Sequence, residues 1–348
     1  MEISKLPEFD NHELVSYFND SETGLRGFVA IHNSNLGPAV GGTRYFNYKS
    51  KEEALRDVLR LSEAMTYKCA LAGAPHGGGK AVIMANPKFP KTTKFLNAFA
   101  GQINLLKGSF YTGEDVGITQ QDVNILSKKS PFLIGHQNLA GDPSPWAALG
   151  VFYSMQAALK SVFGSDKFYG RSFAIKGLGK VGYHLLELIY KAGGRDIFVA
   201  DIDKTVLRKT KRCFSMVKIV APATIYKQKV DVYAPCAMGI DLTENNVKDL
   251  KCKIICGGAN NQLAHNKVGD SIYRRRILYV PDYIANSGGL INVVSELRKG
   301  GFSRKWVIDK TKAIRRTTQK IINLSKKLKK SPDIVADLMA ERIFQKSR

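Results

Sequence analysis

The sequence predicts two α/β domains, the second built on a parallel sheet. Three observations point there. The 348 residues are 44% hydrophobic and 24% charged, an ordinary globular balance in a chain long enough for two cores. After about residue 170, short β-branched segments alternate with helical patterns, the rhythm of a parallel sheet. A turn cluster, GDPSP at 141–145, separates that rhythm from an earlier mixed stretch.

Composition excludes several classes. Apolar content is too high for intrinsic disorder. The first residues are mixed and polar, so a secretory signal is not expected. No apolar run approaches the ~18 residues of a membrane span. Five cysteines without a CxxC pair point to a reduced, cytoplasmic setting, and Cys69 reads as a packing residue. Six scattered histidines lack ligand spacing, so no metal is expected, and only His76, beside a glycine run, is a candidate for a site role.

The elements follow in order. Residues 24–32 read as a strand, and 51–66 as a helix with Leu55, Val58, Leu59, Leu61 and Met65 at helical spacing. Glycines make 73–80 a loop, followed by a strand at 81–84. Ser144 suits an N-cap and Pro145 the first helical turn, opening an apolar helix over 146–162. Strands follow at 172–176, 196–200, 230–234, 253–256 and 277–280, with a helix at 181–192. Val307, Ile308, Ile314, Ile321, Leu324 and Leu328 form a stripe on a basic helix, and a last helix covers 333–344.

The clearest chemistry is the G-x-G-x-x-G of Gly177, Gly179 and Gly182, with Lys180 and Val181 between them. It follows a strand, opens a helix and is followed by Asp201 at the end of the next strand, the Rossmann context for a dinucleotide. The first glycine permits the turn, the second lets the pyrophosphate approach, and the third packs helix on strand. Asp201 would accept from the ribose hydroxyls and repel a 2′-phosphate, favouring NAD over NADP, although Lys204 and Arg208 stand nearby.

Gly77-Gly-Gly-Lys80 fails the phosphate-loop pattern, since Ala74 and Ala81 stand at the diagnostic positions. Lys80 instead reads as a lysine whose pKa a water-excluding loop and a second cation, Lys68, would lower; two solvated lysines would give the same spacing. Glu114 and Asp115, between Gly113 and Gly117, offer a carboxylate for acid–base work, and spacing does not choose between them. The net charge of +23 places +12 beyond residue 297. Without interleaved aromatics this reads as a solvated helical face rather than a nucleic-acid site.

Together with LGPAVGGTR at 36–44, MTYK at 65–68, APCA at 234–237, GANNQ at 258–262 and NSGGLIN at 286–292, these strings resemble the Glu/Leu/Phe/Val amino-acid dehydrogenases, in order from about residue 24 to 300. The resemblance is greatest to the leucine-specific branch. It implies a substrate-binding and oligomerisation domain at 1–142, with C-terminal helices at 331–348 packing back on it. A Rossmann domain for NAD would occupy 143–330. It implies a homo-oligomer that interconverts an L-amino acid with its 2-oxo acid and ammonia, with neither a membrane nor a nucleic-acid partner.

Mapped by that resemblance, Lys68 holds the substrate α-carboxylate, Lys80 polarises the oxo oxygen and activates water, and Asp115 carries protons to and from the amine. Asn260 and Asn261 stand near the nicotinamide. Val40, Gly41, Gly113, Leu290 and Val293 form the side-chain pocket. Val40 takes the place of the lysine that pairs a glutamate side chain, so leucine, isoleucine and valine are expected substrates. Gly113, an alanine in leucine-type relatives, would leave extra room. Ala147 replaces a frequent threonine near the cofactor. The same chemistry on phenylalanine, glutamate or another amino acid, or a non-catalytic NAD- or nucleic-acid-binding homologue, are the alternatives.

Overall fold

A computed structural model describes residues 2–345. The chain divides into two compact units. The first comprises the residues up to 142, then 292–303 and those from 340 on; the second comprises 143–291 and 304–339.

The first unit is a five-stranded mixed sheet with helices on both faces. In chain order it contains β1 (Leu14–Asp20), β2 (Leu25–Asn33), β3 (Ala39–Phe46), α1 (Lys51–Ala72), β4 (Gly77–Met84), α2 (Thr93–Asn104), β5 (Phe110–Gly113) and α3 (Gln120–Ser127). The sheet order is β1-β2-β4-β3-β5. β2 pairs antiparallel with β1 and β4, whereas β3 runs parallel to β4 and β5. Helix α1 starts where Ser50 accepts from the Glu53 amide and ends at Gly73, whose φ of 64° forms a left-handed cap. One sheet face packs Phe28, Ala30 and Val82 on Leu55, Val58 and Leu59 of α1. The other packs Val29, Ala81 and Ile83 on Phe95, Phe99 and Ile103 of α2.

The glycine run predicted as a loop is instead the start of β4, and all eight of its residues are buried. The reason is steric. A Cβ at position 78 would lie 2.0 Å from the Thr66 backbone nitrogen, so only glycine lets α1 approach the strand this closely. Lys80 therefore stands on the middle strand of a sheet, not on a flexible loop.

The second unit continues with α4 (Ser144–Phe163), β6 (Ser172–Lys176), α5 (Lys180–Lys191), β7 (Asp196–Ala200), α6 (Lys204–Cys213), β8 (Lys218–Ile219) and β9 (Val232–Pro235). Then come α7 (Glu244–Val247), β10 (Ile254–Ile255), α8 (Asn266–Arg274), β11 (Leu278–Tyr279), α9 (Asp282–Ala285), α10 (Gly288–Val294), α11 (Arg304–Leu328) and α12 (Pro332–Gln345). Its six strands are all parallel in the order β11-β10-β9-β6-β7-β8. The winding reverses between β6 and β9, the crevice where doubly wound sheets bind ligands.

Three expectations are corrected here. The predicted division put 292–303 in the second unit and 331–348 in the first; the structure places 292–303 in the first and 331–339 in the second. The start of α12 stays there because Tyr283 donates to Asp337 at 2.5 Å and Asp333 lies against Gly269. Residues 1 and 346–348 of that division lie outside the described residues. Helix α4 begins at Ser144 itself, with Pro143 as its cap. On α11, Ile308 and Leu328 are both 42% exposed. The buried stripe is Val307, Thr311, Ile314, Thr318, Ile321, Ile322 and Ser325. It packs on α4, where Ser154 and Thr318 hydroxyls meet at 3.0 Å. Small hydroxyl residues at the seam concealed part of its true phase. No described helix is long and apolar enough to cross a membrane.

Candidate active site

In the first unit, strand alternation places Lys80 on the α1 face with Val82. Its side chain is 8% exposed, and its Nζ lies 2.6 Å from Asp115 Oδ2. Asp115 reaches this point because β5 ends at Gly113 and the chain turns back, with an isolated bridge between Asp115 and Ile118. The structure thus brings Asp115 to the lysine. Burial alone would push the Asp115 carboxyl up, but the Lys80 ammonium and Arg44 guanidinium outweigh it and hold the group at about 2. Asp115 is a firm carboxylate in this arrangement. Lys68 lies near the end of α1, the helix packed on this face, and is half-buried.

Of the predicted side-chain pocket, Val40 is fully buried and pairs in register with Gly78 and Tyr111. Gly41 faces Thr112 in the same ladder. Gly113 does not provide the expected room: a Cβ there would lie 2.5 Å from the Ile134 carbonyl oxygen, so backbone already fills the space. Val293 belongs to the first unit, 3.5 Å from the Cβ direction of Gly135, whereas Leu290 belongs to the second. His76 is buried with an unpartnered Nδ1, and burial lowers its pKa. Burial raises the Cys69 thiol to about 12, which suits packing rather than nucleophilic work.

In the second unit the glycine turn joins β6 to α5. Gly177 has a φ of 92°, and a Cβ on it would lie 2.6 Å from the Ala237 nitrogen. A Cβ at Gly182 would lie 2.0 Å from the Gly177 carbonyl oxygen, so this glycine packs helix on turn. Around Gly179 a Cβ would meet nothing within 4 Å. The turn is therefore closed by protein at its first and third glycines and open at its second, beside the first amides of α5 at Lys180 and Val181. That geometry fits a pyrophosphate at a helix N-terminus. Asp201 is fixed beside it by the amides of Leu178, at 2.6 Å, and Asp203, at 2.8 Å. The next residue, Ile202, is 90% exposed, an apolar surface suited to an adenine face. The Asn260 side chain is exposed and accepts from Asn286 Nδ2 at 2.6 Å; Asn261 adopts a left-handed φ of 54°. Among the described residues, no group of three His, Cys, Asp or Glu side chains could hold a metal.

Two contributors escaped the sequence reading. Asn286 orients Asn260, and Arg44 lies 3.6 Å from Asp115. Both lay inside strings singled out above, and Arg44 carried a signal of its own as a charged residue within a largely apolar strand.

Known proteins similar to this chain span its whole length. The family model of the Glu/Leu/Phe/Val dehydrogenase dimerisation domain matches residues 12–134, and that of Glutamate/Leucine/Phenylalanine/Valine dehydrogenase matches 144–331. The chain is 37% identical to a leucine dehydrogenase of Bacillus subtilis, over all of this chain and 95% of that one. It is 43% identical to a phenylalanine dehydrogenase of Lysinibacillus sphaericus, over 90% and 83%. The crystal structure of L-tryptophan dehydrogenase from Nostoc punctiforme superposes with a TM-score of 0.85 at 36% identity, covering 97% of each chain. With family models spanning both units and relatives covering its full length, the chain belongs to the Glu/Leu/Phe/Val family of amino-acid dehydrogenases.

Proposed function

We propose that the protein catalyses the NAD-dependent, reversible oxidative deamination of an apolar L-amino acid to its 2-oxo acid and ammonia. The observation that carries this reading is the buried Lys80–Asp115 pair at 2.6 Å on the α1 face of the first sheet. The amine must lose a proton before hydride can leave Cα, and the carbon then takes up water and expels ammonia. Asp115 receives the proton from the amine and returns it to the leaving nitrogen. Lys80 holds the oxygen that develops at Cα and directs the attacking water. Lys68 fixes the α-carboxylate, a task for a permanent cation on a separate element. NAD, when bound, supplies the hydride acceptor. The turn at Gly177, Gly179 and Gly182 with Lys180 and Val181 would hold its pyrophosphate, Asp201 its adenosine ribose, and Asn260 and Asn261 its nicotinamide end.

Two features support NAD and an apolar substrate. Asp201 presents fixed negative charge beside the turn, unfavourable to a 2′-phosphate, while Lys204 and Arg208 are both exposed. Val40, buried and uncharged, gives no partner to a side-chain carboxylate, whose unpaired desolvation costs several kcal/mol. Each buried methylene contributes ~0.8 kcal/mol instead. With Ile134 filling the space beside Gly113, the reading favours leucine, isoleucine and valine over phenylalanine. The family's dimerisation domain supports a homo-oligomer. The test is kcat/KM for leucine, valine, phenylalanine and glutamate with NAD and with NADP. Overlapping aliphatic activities within ~10–200-fold are expected. A preference for glutamate overturns the pocket assignment, and a preference for phenylalanine overturns the aliphatic one.

A further inference from the structure

We propose that Arg44 is a positioning residue for this reaction, a second cationic partner to which the Asp115 carboxylate moves when Lys80 turns to substrate. The inference rests on the reading of Asp115 as the proton carrier.

The geometry is specific. Asp115 Oδ2 faces two cations at once, Lys80 Nζ at 2.6 Å and Arg44 Nε at 3.6 Å. The second separation is too long for a hydrogen bond, by more than about 0.4 Å. Yet the Arg44 Nε–H is buried with no hydrogen-bond partner, while Asp115 Oδ2 is held by the Lys80 ion pair alone. A buried N–H left without an acceptor is costly unless some state of the molecule supplies one, and the nearby carboxylate oxygen can. A rotation that closes the gap by about 0.7 Å joins them and frees Lys80.

Arg44 itself cannot swing away. Its Nη1 donates to Asp57 Oδ2 at 2.9 Å. Asp57, on α1, also accepts from Tyr48 Oη at 2.7 Å and from Arg60 Nη2 at 2.7 Å. Burial alone would raise the Asp57 carboxyl, but these bonds and charges bring it below the usual value, so it remains an anchor. Lys80 and Arg44 are thus the cations shown acting on the Asp115 carboxylate, with Asp57, Tyr48 and Arg60 standing behind Arg44. Arg44 carries an unpartnered N–H 3.6 Å from the carboxylate and has no proton to give up.

The consequence is mechanistic. When Lys80 binds the developing oxygen, a carboxylate without a second cation would sit buried and uncompensated and would retain its proton. Facing Arg44, it stays ready to release it. Arg44 therefore acts through Asp115 and not on the substrate.

A double-mutant cycle on the full-length protein tests this: wild type, Arg44→Gln, Asp115→Asn and the pair, each assayed for kcat and KM with leucine and NAD. Arg44→Gln is expected to lower kcat by about tenfold or more, the equivalent of one pKa unit at Asp115, with a smaller change in KM. In the Asp115→Asn background the same substitution should cost less than about twofold. Arg44→Lys, which keeps the charge but not the fork, should fall between wild type and Arg44→Gln. An equal loss in both backgrounds, or a loss confined to KM, overturns the proposal and leaves Arg44 a structural residue. If Arg44→Gln does not fold, Arg44→Lys run through the same cycle decides by the same criterion. Near-normal turnover in Asp115→Asn is a different failure, that of the proton-carrier reading itself.

Discussion

Replacing Lys80 by alanine tests the site most directly. The ammonium is 8% exposed and faces a carboxylate that is 21% exposed, so the change strands a largely buried charge. Breaking such a pair from one side typically costs 3–5 kcal/mol, and Arg44 at 3.6 Å should hold the loss to about 3 kcal/mol. Turnover should fall by at least ~10²-fold, the usual reach of one acid–base group. The two effects separate in the double variant with Asp115→Asn. With no uncompensated charge left, that variant should recover most of the stability but none of the activity. Urea unfolding followed by circular dichroism gives the stability, NADH formation gives the turnover, and NAD binding to the second unit reports that the rest of the chain is intact. Near-normal turnover in Lys80→Ala would refute the assignment. A double variant no more stable than the single would refute the stranded-charge account.

Three further outcomes are expected. Wild-type kcat/KM should favour NAD over NADP by about a hundredfold or more, since like charges ~4 Å apart oppose each other by about 4 kcal/mol at an effective dielectric constant of 20; comparable values with NADP would reject the role of Asp201. Burial holds His12 at about 4, so its protonation favours the unfolded chain. The stability it confers is complete above pH 6.5 and declines by about 3 kcal/mol as the pH falls towards 4; unfolding midpoints of His12→Gln should depend less on pH over that window, and equal slopes would contradict this. The basic face of α11 should bind DNA only weakly and with steep salt dependence; sequence-selective binding that survives physiological salt would show a dedicated site.

The amino-acid sequence by itself determined the parallel-sheet unit. The strands at 172–176 and 196–200 stand where alternation and β-branching place them, and the glycine turn and Asp201 fall between and after them. Every signal there is local: turn geometry, helical period and strand content act within a few residues of one another. The pairing of Lys80 with Asp115 and Arg44 is different in kind. It joins three strands or their ends across 71 positions of sequence, from 44 to 115, and no local pattern encodes a contact of that range. Spacing alone therefore left Glu114 and Asp115 equivalent, although the family resemblance favoured Asp115. The glycine run before Lys80 shows the same division. Locally, three glycines signal a break in structure. In the folded chain Gly78 lets Thr66 of α1 approach β4, Gly77 makes room for the backbone of Asn33 and Ser34, and Gly79 makes room for the Phe110 ring, so packing from distant elements turns the apparent loop into the most buried strand of the sheet. Tertiary structure decided these points because excluded volume and the pairing of buried charge depend on what lies across the core, not on what lies next in the chain.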